Sequence, residues 1–78
     1  MDGSSIVVDS KINKGSPSIL CQNGKHTTLK CVYHFNVAFM TEYSDESARV
    51  AAVGLELGIT PLQVLECLEY CSQYPQIV

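Results

Sequence analysis

The stretch LELGITPLQVLECLEY, from Leu55 to Tyr70, carries the strongest structural signals in the sequence. Gly58 is a candidate helix end, because glycine readily adopts the left-handed backbone of a helix C-terminus. Thr60 is a typical helix N-cap, Pro61 suits the first helical position, and Gln63 completes a capping box. Together these residues predict two helices joined by a short turn, the outline of a helix-turn-helix.

Apolar and small residues continue this pattern at helical spacing on both sides of the turn. One face of the first predicted helix holds Val50, Val53, Gly54 and Leu57. One face of the second holds Val64, Cys67, Leu68, Cys71 and Tyr74. We expect Ser44 to cap the first helix and Pro75 to end the second.

The residues before the helix pair alternate in polarity with a period of two. Odd positions from Leu29 to Phe39 are apolar, whereas even positions from Lys30 to Glu42 are mixed. Such alternation is typical of strands with one buried face. We therefore predict strands between Lys25 and Glu42, with a bulge or turn near His34 to Asn36, because one strand of that length would be unusual. A short strand is also expected at Ile6 to Asp9.

A β-hairpin is indicated by Asn23 and Gly24, the strongest short hairpin signal. A two-residue type I′ turn at this point would place Cys21 opposite His26. With strands first and helices last, the sequence predicts an α+β fold. We expect an N-terminal β-hairpin or three-stranded antiparallel sheet, followed by two C-terminal helices in a helix-turn-helix-like pair.

The length and composition predict one small domain with a tendency to self-associate. We expect residues 1–18 to be a flexible lead-in with a possible short strand, and residues 19–78 to form a single small α+β domain. Only 17% of the 78 residues are charged, which is below the usual share. A small surface with few charges leaves apolar side chains exposed, and such patches favour a homo-oligomer.

The charges are divided unevenly along the chain. Residues 1–41 contain four lysines and two aspartates, for a net charge of +2, whereas residues 42–78 contain six acids and Arg49, for −5. An acidic helical half is unfavourable for docking on a phosphate backbone. The apolar run from Ile6 to Val8 is too short for a signal peptide, and no run has membrane-spanning length. We therefore expect a cytoplasmic protein with no membrane partner and reduced cysteines.

The cysteines and histidines do not form a recognised metal motif. Cys31 and His34 have a C-x2-H spacing, and Cys67 and Cys71 lie one helical turn apart. On a strand, however, Cys31 and His34 would point to opposite faces unless a bulge intervened. We expect no metal and no cofactor, with the cysteines packed as small apolar residues.

The sequence also lacks the patterns of an active site, so we expect no catalytic residues and no enzyme. It contains no glycine-rich phosphate loop and no nucleophile elbow. Cys21 and His26 would face each other across the predicted hairpin. An exposed hairpin tip, however, offers no pocket and no third group to orient the imidazole.

Residues Val50 to Glu69 resemble the helix-turn-helix of small bacterial regulators and antitoxin-type domains. Gly54 matches the small residue of the first helix in that pattern, Gly58 the turn glycine, and Ile59 the apolar residue after it. The opening VDSKINKGSPSI is similar to the start of some antitoxin-type domains. The resemblance implies a DNA-binding regulator.

That alternative would use four residues for DNA contact, namely Lys25, Lys30, Arg49 and Gln63. Gln63 would be the base reader, and the basic residues would meet phosphate. A recognition helix normally offers Arg, Lys, Asn or Gln to DNA. The second helix instead carries Glu66 and Glu69 and no basic residue, so nucleic acid is the disfavoured partner.

The favoured hypothesis is a small protein-interaction module, such as a regulator, adaptor or inhibitor. It would bind another protein, its own copy or both through the acidic helical half. The predicted binding residues are Leu62, Leu65, Glu66, Glu69, Tyr70 and Tyr74. For the two tyrosines the sequence leaves two roles open, a contact patch or the rim of the core.

Overall fold

The computed structural model describes residues 6–8 and 15–78, which form a three-stranded antiparallel sheet followed by three helices. The strands are β1 (Ile6–Val7), β2 (Ser18–Leu20) and β3 (His26–Thr28), in the spatial order β1-β2-β3. The helices are α1 (Leu29–Phe39), α2 (Glu46–Leu57) and α3 (Pro61–Gln73), and a 3-10 turn (Pro75–Ile77) follows. The predicted α+β class is confirmed. The expectations for residues 1–5 and 9–14 fall outside the described residues.

The hairpin between β2 and β3 is present, but its register differs by one residue from the prediction. Leu20 pairs with His26, so Cys21 does not lie opposite that histidine. The loop has three residues rather than two: Cys21 N–H donates to Lys25 O at 2.8 Å, and Gly24 is left-handed, with a φ of 84°. Three-residue loops commonly end in such a left-handed residue. The predicted facing of Cys21 and His26 is therefore wrong.

The prediction of strands between Lys25 and Glu42 is wrong beyond Thr28, where α1 begins. Thr28 caps this helix, since its Oγ1 accepts a hydrogen bond from Cys31 N at 3.2 Å. Leu29, Val32 and Asn36 are the buried residues of α1, and their spacing is helical. The helix directs Leu29 and Val32 into the core and buries Asn36, whose Oδ1 accepts from Arg49 Nε. This burial outweighs the β-propensity of the Val, Tyr and Phe residues of α1.

Aromatic contacts along α1 also follow the helical period. Phe35 and Phe39 meet edge-to-face with ring centroids 6.0 Å apart, and Phe39 lies 5.8 Å from the ring of Tyr43. Phe35 and Phe39 are four apart on α1, so their rings lie one helical turn from each other. Tyr43 follows the helix, and its N–H donates to Phe39 O at 2.8 Å. Phe35 and Phe39 are odd-numbered as well, which explains why the same residues produced an alternating pattern.

The turn between α2 and α3 forms as the sequence predicts. Gly58 ends α2 in a left-handed conformation with a φ of 78°. The capping box is complete, because Thr60 Oγ1 accepts from Gln63 N at 3.1 Å and Gln63 Oε1 accepts from Thr60 N at 2.8 Å. The N-cap of α2 is Asp45 rather than the expected Ser44, since the Asp45 carboxylate accepts from Ala48 N at 3.1 Å.

Gly54 allows the turn to fold back onto α2. A Cβ at this position would lie 2.5 Å from the carbonyl oxygen of Ile59, so a larger residue would displace the backbone of the turn. The axes of α2 and α3 differ in direction by 101°. A right-angled pair with a three-residue, glycine-containing turn is the geometry of a helix-turn-helix.

The core lies where the sheet and the three helices meet. Its buried apolar residues are Ile19, Cys21, Leu29, Val32, Val50, Val53, Ile59, Val64, Cys67 and Cys71. Each of the three helices packs against the other two. In the part of the chain that the structure describes, no single helix is long and apolar enough to cross a membrane; α2 and α3 reach that length and composition only jointly, across their 101° bend.

Candidate functional site

The outer face of α3 exposes two leucines. Leu62 is 77% exposed and Leu65 is 38% exposed, and Glu69 lies one turn further along the same exposed side. The opposite side of α3 supplies Val64, Cys67 and Cys71 to the core. We call Leu62, Leu65 and Glu69 the leucine face. It includes three of the six predicted protein-binding residues, and α3 has no basic side chain.

The other three predicted binding residues lie around the edge of α3. Glu66 and Tyr70 are half-buried, and they line a shallow depression together with Glu69, Gln73 and Ile6 of β1. Tyr74 is 43% exposed, and its ring centroid lies 4.7 Å from that of Tyr70. The two rings support each other at the end of α3. Glu69 thus lies between the exposed leucines and the depression lined by Glu66 and Tyr70.

Sequence reasoning missed Leu55, the most exposed large apolar side chain among those described, at 87%. Leu55 belongs to the last turn of α2, immediately before the turn to α3. The sequence contained a signal for this exposure, because Leu55 does not share the apolar helix face formed by Val50, Val53 and Leu57. An apolar residue opposite the buried side of a helix is exposed by the helical period alone.

A second surface lies on α1. It is an open depression of about 460 Å³, lined by Thr28, Lys30, Cys31, His34, Phe35 and Ala38. We call these six residues the α1 groove. Lys30 and His34 are exposed at one side of it, whereas Phe35 is half-buried at the other. None of the six is acidic, and the surface is mainly apolar with the Lys30 ammonium at its edge.

The α1 groove could not be recognised from the sequence because its residues were assigned to a strand. On a strand, Lys30 and His34 would lie on one face and Cys31 and Phe35 on the other. On a helix, residues three and four apart share a face, and the same residues come together. The spacing of Lys30, His34 and Ala38 was a usable signal, but only once the region was known to be helical.

The four residues of the DNA-binding alternative lie on four different segments. Lys25 is exposed in the hairpin loop, and Lys30 is exposed on α1. The Arg49 guanidinium donates to Asn36 Oδ1 at 3.1 Å and to the Tyr43 carbonyl at 2.8 Å. The Gln63 oxygen is held in the capping box. Arg49 and Gln63 therefore already have structural roles.

The side chains of the β2–β3 hairpin pair differently from the predicted thiol–imidazole contact. Cys21 Sγ lies 3.1 Å from Thr27 Oγ1, and His26 Nδ1 lies 3.5 Å from Ser18 Oγ. Each of these hydrogen bonds joins a β2 or loop residue to β3. The contacts thus tie the hairpin together and do not orient an imidazole as a base towards a thiol.

The buried thiols are held in their neutral form. Burial, with a smaller contribution from the Glu66 carboxylate, raises the pKa of the Cys67 thiol to about 12. Burial also raises the pKa of Cys31 and of Cys71. A thiol rather than a thiolate is a poor nucleophile and a poor metal ligand. Within residues 6–8 and 15–78, no group of three His, Cys, Asp or Glu side chains is placed to hold a metal ion.

The comparisons with known proteins add no family to these observations. No protein-family model matches the chain, and no curated protein and no solved structure is significantly similar to it. The leucine face and the α1 groove are therefore interpreted from their own geometry and charge.

Proposed function

We propose that this chain is a small, non-enzymatic protein-interaction module, a regulator, adaptor or inhibitor that binds its partner through the leucine face. The observation that carries the proposal is the exposure of Leu62 and Leu65. Neither leucine is needed for the core, because Val64, Cys67 and Cys71 fill the buried side of α3. Exposed leucines on a well-capped helix are suited to insertion into an apolar groove.

Burial of the leucine face would supply part of the energy of a specific contact. Full burial of a leucine side chain stabilises a complex by about 1.5–3 kcal/mol. Leu62 is 77% exposed and so has most of its side chain still to bury. The capping box fixes the start of α3, so little conformational entropy is lost when Leu62 docks.

Charge determines the kind of partner that fits. Residues 42–78 have a net charge of −5, and Glu69 lies beside the leucines on the same face. A matching partner surface is an apolar groove with a cationic edge, because complementary charge at a rim favours correct docking and repels acidic competitors. We propose a cytoplasmic location for this activity, a compartment in which cysteines such as the four of this chain are commonly reduced.

Co-purification with matched variants tests the proposal. The tagged chain is expressed in its native cells as wild type, as Leu62→Asp with Leu65→Asp, and as Leu20→Asp with Val37→Asp. The last variant is the control: it adds the same two negative charges at Leu20, which is 50% exposed, and Val37, which is 43% exposed. A second, differently tagged copy reports self-association.

The expected result is a partner, either another protein or the second copy, that is retained by wild type and control and lost from the leucine variant. Thermal unfolding of each purified protein shows that the variants remain folded. Equal retention by all three proteins, or no partner for wild type, would contradict a binding role for the leucine face.

A DNA-binding regulator is the second candidate, and the 101° helix pair favours it. In that case Lys25, Lys30 and Arg49 would approach phosphate and Gln63 a base edge. A gel shift on random duplex DNA at low salt tests this candidate, because phosphate contacts are strongest there. A shift that disappears as salt is raised and weakens with Lys30→Ala would support DNA binding. The absence of a gel shift at low salt would rule out the DNA-binding candidate.

A further inference from the structure

We propose that the partner of the leucine face is a second copy of this chain, which docks that face on the α1 groove of its neighbour. This inference rests on the proposed function and names its partner. The two surfaces differ in residues and in charge, so the contact is head-to-tail rather than symmetric. Each copy then uses the leucine face once and the α1 groove once.

Charge complementarity is the first argument for this pairing. The leucine face carries Glu69 and lies on a helix with no basic residue. The α1 groove carries Lys30 and His34 and has no acidic residue in its lining. The mixed pair brings Glu69 of one copy near Lys30 of the next, whereas neither surface paired with its own copy brings opposite charges together.

Shape is the second argument. Cys31 and Ala38 are small, so another helix can approach the middle of the groove closely. Phe35 borders one side, and Lys30 and His34 border the other. An apolar floor with an aromatic border and a cationic edge is the groove that an acidic, leucine-bearing helix requires.

The spacing of the residues along the two helices and the positions of their charges determine the orientation of α3 on the α1 groove. Helical rise separates Leu62 from Glu69 by about 10.5 Å and Lys30 from Ala38 by about 12 Å. An antiparallel arrangement places Glu69 of one copy beside Lys30 of the next, and Leu62 beside Ala38. Glu69 then also approaches the first turn of α1, which has no acidic residue of its own.

A head-to-tail contact leaves one unused surface at each end of a dimer. Further copies can therefore add until the assembly closes into a ring or continues as a filament. A symmetric dimer uses the same surface on both copies and stops at two. This difference allows a mixing experiment to separate the two arrangements.

The experiment uses two variants, each with one surface disabled. In the first, Leu62→Asp with Leu65→Asp removes the leucine face. In the second, Lys30→Glu with Ala38→Glu removes the α1 groove. Masses are measured by light scattering under reducing conditions, for each variant alone, for an equimolar mixture, and for wild type over a range of concentrations. Leu20→Asp with Val37→Asp, which adds two negative charges, is again the control matched in charge to the first variant.

The head-to-tail contact predicts that wild type and control grow beyond a dimer as concentration rises. Each disabled variant alone is a monomer, with association weakened by roughly thirtyfold or more, as expected when central apolar contacts are lost. Their mixture forms a one-to-one dimer and nothing larger, because only one intact pair of surfaces remains.

Two results would overturn the inference. A mixture that stays monomeric while wild type associates shows that the two disabled surfaces do not bind each other. A wild type that is monomeric at every concentration shows that the second copy is not the partner. Neither result removes the proposed function, because the co-purification of a different protein, and its loss from the leucine variant, is measured separately.

A charge exchange tests the orientation. Lys30→Glu alone and Glu69→Lys alone should each weaken wild-type association by roughly twofold to fivefold, the usual effect of an exposed ion pair. The chain with both changes should recover wild-type association if Glu69 lies beside Lys30 of the next copy. Additive weakening in the double variant would rule out the antiparallel arrangement.

Discussion

The turn between α2 and α3 and the helix α1 are stabilised in different ways. The turn is specified by residues close to one another in the chain: Gly58 takes the left-handed conformation, and Thr60 and Gln63 complete a capping box. α1 has a weaker start, at Thr28, and depends on distant partners for Leu29 and Val32, which are fully buried. A local change should therefore damage the turn, whereas α1 should respond mainly to changes in the core.

The largest effect is expected at Gly54, where the turn is tightest. Gly54→Ala places a Cβ 2.5 Å from the Ile59 carbonyl oxygen, so the backbone must shift. We expect a loss of about 3 kcal/mol in the free energy of unfolding, at the upper end for overpacking, measured by urea denaturation. Gly24→Ala is the control, since its Cβ meets nothing within 4 Å and only its φ of +84° is unfavourable. An equal cost at the two glycines would contradict the close packing of the turn.

The helical nature of α1 is tested by comparing Val32 with Val37. Val32 is fully buried, whereas Val37 is 43% exposed. Val32→Ala should lower the free energy of unfolding by about 2–3 kcal/mol, through lost apolar burial and a small cavity. Val37→Ala should change it by less than about 0.5 kcal/mol. A strand with buried odd positions would reverse this order in the same denaturation experiment.

The pH dependence of stability can be compared at two thiols, Cys67 on α3 and Cys31 on α1. Burial raises the pKa of Cys67, on α3, from 9.0 to about 12. The neutral thiol therefore favours the folded state fully below pH 9, and this contribution is lost as the pH rises towards 12. The difference in unfolding free energy between wild type and Cys67→Ala should shrink over this range.

Cys31, on α1, is the matched position, because it is less buried than Cys67. Cys31→Ala should show a smaller dependence on pH over the same range, measured by denaturation at a series of pH values. A constant difference between wild type and Cys67→Ala would show that Cys67 does not stay neutral in the folded protein.

The smallest effects are expected at the two helix caps. Thr60→Ala should cost about 1 kcal/mol, the usual value for a lost cap. Thr28→Ala should cost about 0.5 kcal/mol, because Leu29 N–H donates to Pro17 O at 3.0 Å and holds the start of α1 independently. Thermal unfolding measures both. A larger cost at Thr28 than at Thr60 would reverse the proposed difference between the two regions.

The difference between local stabilisation of the turn and long-range stabilisation of α1 explains which parts of the fold could be predicted from the sequence. Gly58, Thr60 and Gln63 act through neighbours in the chain, and all three predictions are confirmed. The residues of α1 gave an ambiguous signal, because Phe35 and Phe39 fit both an alternating strand and a helical row. The burial of the even positions Val32 and Asn36 distinguishes the helix from the strand, and burial depends on the whole fold.

The candidate surfaces, too, could be predicted only where the sequence pattern of the helix was unambiguous. Leu62 and Leu65 were predicted because the period of α3 is clear, and both are exposed. The α1 groove could not be predicted while its residues were assigned to two faces of a strand. The hairpin register was wrong by one residue because Asn23 and Gly24 suit loops of two or three residues, and the choice between these loops depends on the rest of the sheet.

The most direct test of the account is an NMR titration between the two disabled variants. The isotope-labelled chain carries Leu62→Asp with Leu65→Asp, so only its α1 groove can bind. The unlabelled chain carries Lys30→Glu with Ala38→Glu, so only its leucine face can bind. We expect helical chemical shifts from Leu29 to Phe39, and changes on titration that concentrate at Lys30, Cys31, His34, Phe35 and Ala38. Extended chemical shifts in this segment, or titration changes that avoid these five residues, would contradict the account.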